Sequence, residues 1–162
     1  MASLIEDFIA TLTKQHDHYE ELLILATEKV NIIKNDDVET LQKITAAETA
    51  ILGKATKLEN KREEIVKNIG VVLNRNADDL TLSSIAELIN NEEDSKQLLE
   101  LKDKLYNTLT QLKDKNEVNR AVIQTSLDYI DFSVNLLREG GADPLEGEMP
   151  SELRKNLFDV RQ

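Results

Sequence analysis

From Glu92 to Glu139 the chain contains neither proline nor glycine, while apolar residues return at three- and four-residue intervals. Proline and glycine are the usual helix terminators, so nothing local interrupts this stretch. At about 1.5 Å per residue it predicts a helix roughly 70 Å long. A rod of that length dictates an elongated, all-α fold. Its stripe is Leu98, Leu105, Leu109, Leu112, Ile123, Ile130 and Leu137.

The upstream sequence supplies partners for this rod. A first helix is expected from Ser3, with Ser3 and Glu6 forming a capping box, to about Asn35. Ile5, Leu12, Tyr19, Ala26 and Ile33 recur every seventh residue, and Phe8, Ile9, Leu22, Leu23 and Val30 widen that stripe to bundle breadth. Asp36 and Asp37 suit the start of a second helix, because carboxylates accept free backbone N–H groups and favour the positive end of the dipole. The second stripe is Leu41, Ile44, Ile51, Leu58, Ile65 and Ile69, with an end near Asn68 and Gly70 as C-cap. So short a connection predicts an antiparallel hairpin. Residues 71–81 read as a loop, and Leu82 to Asn90 as a short extra helix. The expected architecture is therefore an antiparallel bundle of three long helices with one short helix. The first two, at about 32 residues each, span roughly 48 Å, so the long helix outreaches the hairpin, and either its end projects or the short helix and the tail cover the surplus.

Gly140 and Gly141 end the helical body, dividing the chain into a bundle, residues 1–139, and a flexible tail, residues 140–162. The tail has no basic residue from Glu139 to Glu152. Pro150-Ser151 suits a helix start, and Leu153, Leu157 and Val160 share one helical face with Phe158 beside it. One reading is an ordinary disordered terminus. The other is an amphipathic segment that folds when it docks, on its own bundle or on a partner.

Composition narrows the function. A net charge of −11 disfavours nucleic acid and anionic membranes, since both need a basic surface. No apolar run approaches the roughly 20 residues that span a bilayer, and the acidic start does not read as a signal peptide. The chain has no cysteine, which fits a reducing, cytoplasmic setting. Its two histidines, His16 and His18, point roughly 200° apart on a helix and cannot share a ligand. Phosphate-loop, zinc-protease, nucleophile-elbow and di-iron patterns are missing from the sequence, so neither cofactor nor catalysis is expected. The polar residues on the stripes carry more information. Glu48 and Arg62 share a heptad position with Leu41, Ala55 and Ile69, while Asn116, Asn119, Ser126 and Ser133 interrupt the long helix. They read either as buried groups that fix register or as contacts for a partner.

In the long helix, Asn116-x-x-Asn119-Arg120 is followed by Leu127-x-Tyr129-Ile130. The first hairpin carries HDHYEELLILATEKVNIIKNDDVETLQKI, and the C-terminus carries Asn156-Leu157-Phe158-Asp159. Together these resemble the FlgN-type flagellar export chaperones, over essentially the whole chain. The resemblance implies a cytosolic chaperone that binds flagellar hook-associated proteins, prevents their premature assembly and delivers them to the gate and ATPase complex of type III export. It ties client binding to Leu153, Leu157, Phe158 and Val160. The tail has no tyrosine for the gate contact that some members make. The competing expectation is a coiled-coil adaptor that self-associates through its stripe, and a homo-oligomer is compatible with either.

Overall fold

The computed structural model describes the backbone of residues 1–139, with side chains described through Ala121 and again at Gln124 and Asn135. Its order is α1 (Ala2–Lys34), α2 (Val38–Leu73), a 3-10 turn (Ala77–Asp79), α3 (Leu82–Leu88) and α4 (Glu92–Glu139). The described residues are all-α. The expected tail residues Leu153, Leu157, Phe158 and Val160 lie outside them.

α1 is the central element and packs along both α2 and α4. Its pairing with α2 is antiparallel, with Gln15 opposite Glu59 and Lys29 opposite Glu48. Its pairing with α4 is parallel, with His16 opposite Thr108 and Ala26 opposite Asn119. The chain therefore runs up, down and up. The return from α2 to α4 is made at the base of the bundle, where α3 packs against α4.

That base holds the main core. Ile5, Phe8, Ile9 and Leu12 of α1 meet Ile65, Val66 and Ile69 of α2, Ile85 and Ala86 of α3, and Leu98, Leu101 and Leu105 of α4. Each fully buried large side chain contributes about 1.5–3 kcal/mol of transfer free energy. The stripes predicted for α1 and α2 face inward, although Tyr19, Leu23, Val30, Ile51 and Leu58 are only half-buried. In α4 the inward positions are Leu98, Leu101, Leu105, Thr108 and Asn119, spaced as a heptad seam. Leu109, expected on that seam, is 43% exposed. It follows Leu105 by four residues, which carries it to the flank, while Thr108 takes the inward position.

The helix ends depart from expectation in an instructive way. α1 starts at Ala2 with Met1 before it and no side-chain cap, so Ser3 and Glu6 lie inside the helix and form no capping box. α1 ends with Asp36 at φ 54°, its N–H donating to the Ile33 carbonyl and that of Asp37 to Ile32. This is a Schellman ending built on aspartate, one of the few side-chain-bearing residues that tolerate the left-handed region. Asp37 then caps α2, accepting from the Thr40 N–H at 3.1 Å and the Thr40 hydroxyl at 2.6 Å. These hydrogen bonds, the hydroxyl first, hold its carboxyl below the usual range.

α2 runs past Asn68 to Leu73 and ends the same way on Asn74, at φ 54° and ψ 47°. The Arg75 N–H donates to the Gly70 carbonyl at 2.8 Å. Gly70 is thus not the C-cap but lies within the helix. It is glycine because the chain folds back over it: a Cβ there would sit 2.8 Å from the Arg75 carbonyl oxygen. Thr81 and Ser84 form a reciprocal capping box on α3. Asn91 Oδ1 accepts from the Glu93 and Asp94 N–H groups to start α4.

The two helical glycines provide an internally controlled test. Gly70→Ala is expected to cost about 1–3 kcal/mol, because backbone rather than a movable side chain must give way. Gly53→Ala, whose Cβ would meet nothing within 4 Å, is expected to gain about 0.5–1 kcal/mol. Urea unfolding of both variants checks the opposite signs.

Candidate partner-binding surface

α1 joins its neighbours through two different polar seams. On the α2 side, Gln15 Nε2 donates to Glu59 Oε2 at 2.8 Å, and Arg62 donates to both oxygens of the same carboxylate. The hydrogen bond from Arg62 is the main reason Glu59 sits below the usual carboxylate range, with Gln15 adding to it and desolvation opposing both. Beside them burial, reinforced by the Glu59 charge, pushes the Tyr19 phenol upward, while Arg62 opposes it. Higher on the same interface Lys29 Nζ reaches Glu48 Oε1 at 3.0 Å, with both residues buried. Sequence reasoning singled out Glu48 but missed Lys29. The available signal was a lysine on the inward face of α1, three residues after Ala26.

On the α4 side the seam is smaller. Thr108 donates its hydroxyl to Glu20 Oε1 at 2.9 Å and lies 3.1 Å from His16 Nε2. Asn119 is buried, and its Nδ2 donates to the Ala26 carbonyl at 3.0 Å while its Oδ1 has no hydrogen-bond partner among the described residues. Nearby Asn116 is half-buried and Arg120 is exposed. These pairs hold α4 beside α1 at an offset of 92–93 residues.

That offset places the end of α1, Lys34, level with residues 126–127 of α4. The helix continues to Glu139. About a dozen residues, roughly 18 Å, therefore extend past the last turn of α1. Leu127, Tyr129 and Ile130 fall on this stretch, and their side chains lie outside the described residues. The structure thus separates the candidate residues: Asn116 and Asn119 sit in or at the α1 seam, Arg120 on the surface, and the Leu-x-Tyr-Ile segment at and beyond the point where α1 stops.

Among the described residues no group of three or more His, Cys, Asp or Glu is placed to hold a metal ion, and no helix is long and apolar enough to cross a membrane.

Two measurements test the seams. Lys29→Ala or Glu48→Ala alone strands one buried charge and is expected to cost about 3–5 kcal/mol, whereas Lys29→Met with Glu48→Leu is expected to recover most of that loss. Chemical denaturation of the three variants reads the difference. The second measurement is pH dependence. Because the folded-state pKa of Glu59 is lowered, its contribution is full above the unfolded value of about 4.3 and is lost as pH falls through the folded value. Arg62→Gln is expected to flatten that acidic limb in thermal melts taken between about pH 5 and pH 2.

The family model described as FlgN protein matches residues 1–146. A Bacillus subtilis (strain 168) protein, described as uncharacterized protein YvyG, is 26% identical over 148 residues, covering 88% of this chain and 89% of its own. No solved structure matches the chain.

Proposed function

The chain belongs to the FlgN protein family, and from that premise we propose that it is a cytoplasmic chaperone of flagellar type III export. Its clients in this reading are hook-associated proteins, which it keeps from assembling early and passes to the export gate and its ATPase complex.

The observation that carries the proposal is a family match over the whole helical body, combined with a long helix that outruns the described helix parallel to it. A segment that forms coiled coils on assembly is an amphipathic helix seeking an apolar stripe. A rod that runs on past the described helix beside it can serve as a substitute partner for such a helix. Binding of this kind needs no covalent chemistry.

The proposal assigns capture to two contiguous regions. One is the distal part of α4 with Leu127, Tyr129 and Ile130. The other is the tail with Leu153, Leu157, Phe158 and Val160. The match to the family model stops at residue 146, before those four residues. The tail therefore stands on its own pattern: three apolar residues on one helical face after a proline start. Ordering a short segment on binding reduces net affinity, which suits a chaperone that must release its client.

Purified hook-associated protein titrated against the full chain and a chain ending at Glu139 tests the proposal. The full chain is expected to bind. The shortened chain is expected to stay helical by circular dichroism and to bind at least about tenfold more weakly, the loss of a small apolar anchor cluster. Equal affinity would overturn the tail assignment, and failure of the full chain to bind would overturn the chaperone reading.

A further inference from the structure

A second surface lies at the opposite end of the molecule. Between α3 and α4 runs a shallow groove of about 530 Å³, lined by Ala86, Ile89 and Leu99 along its floor. Four carboxylates, Glu87, Glu92, Glu100 and Asp103, rim it, against a single cation, Lys96. On α4 the positions 92, 96, 99, 103 and 106 follow one another at three- and four-residue steps, so the face that lines the groove continues along the helix beyond it. Tyr106 ends that face and is 71% exposed. Leu99 is itself 43% exposed. The two are seven residues apart, about 10 Å along the helix, which is the spacing of anchors in helix-to-helix recognition.

We propose that this face is a docking site for an amphipathic helical segment of another protein, one whose apolar face is flanked by lysine or arginine. The floor supplies the apolar contact, and Tyr106 is the residue type that most often anchors such interfaces. The rim sets the sign of the partner's charge: four carboxylates around an apolar strip attract a basic flank and repel an acidic one. A second copy of this chain is disfavoured by the same rule, since the whole molecule carries a net charge of −11. A segment of the same chain is disfavoured by distance. Leu99 lies about 60 Å back along α4 from Glu139, and a return of that length takes up about 18 fully extended residues. Too few of those after Glu139 would then remain to form a helix in the groove.

The site is independent of the export reading and of the distal end of α4, so either can fail without the other. A short fluorescent helical peptide of leucine, alanine and lysine, with leucines at the i, i+3 and i+7 positions, serves as the probe against the full-length protein. Saturable binding that weakens with added salt is expected. Tyr106→Ala, and separately Glu100→Lys with Asp103→Lys, are each expected to weaken it about tenfold. These side chains are exposed, and circular dichroism checks that the fold persists. Glu63→Lys with Glu64→Lys on exposed α2 makes the same change in total charge and is expected to leave binding unaltered. Equal effects from the two charge reversals would reduce the binding to bulk electrostatics and overturn the proposal. Equal binding of a probe with glutamate in place of lysine would also overturn it. So would tighter binding by a peptide of residues 151–162, which would make the occupant a second copy.

Discussion

The architecture depends on one helix facing two ways. α1 packs along α2 and α4, and Ile5, Phe8, Leu12 and Ala26 are essentially inaccessible. A helix pinned between two others cannot rotate about its axis without exposing one apolar face while burying the polar side of another. Its rotational setting is fixed twice, once by each neighbour. Polar contacts accordingly tie α1 to both neighbours: Gln15 and Lys29 reach α2, while His16 and the Ala26 carbonyl meet Thr108 and Asn119 of α4.

The two halves of the bundle are held differently. At the base four helices converge on a continuous apolar core, and hydrophobic burial dominates. Toward the hairpin turn Lys29, Glu48 and Asn119 share the interior with Ala26, Ile33, Leu41 and Ile44, and directional pairing is added to apolar burial. A buried ion pair adds little net stability compared with apolar residues of similar size, but it penalises slipped pairings heavily. The base therefore supplies the stability of the fold, and the upper half supplies its register. α4 is anchored at its beginning by Leu98, Leu101 and Leu105.

Much of this was legible in the sequence because heptad spacing is a strong signal. The four helices, the hairpin and the excess length of α4 all follow from periodicity and from where proline and glycine are absent. The misreadings were of local chemistry. Gly70 reads as a helix terminator, but its smallness serves a close approach by Arg75, while the true terminators are Asp36 and Asn74. A three-or-four spacing rule admits both Leu109 and Thr108 at the inward position, and only the packing against α1 chooses between them. The ion pair of Glu48 was half visible, since a sequence shows one charged residue on a stripe more readily than its partner on another helix. The surface at α3 and α4 was not legible, because it depends on how α3 folds back on α4.

The parallel setting of α1 and α4 also gives the molecule a direction. Met1 lies at the broad base, and Glu139 lies at the far pole, past the turn of the hairpin. The two ends of the described chain are therefore separated by most of a helix roughly 70 Å long. Anything attached before Met1 sits beside the apolar base and far from the tip of α4. Tethered by its N-terminus to a bead or a surface, the protein would stand with that tip pointing away, its reach set by the helix rather than by a linker.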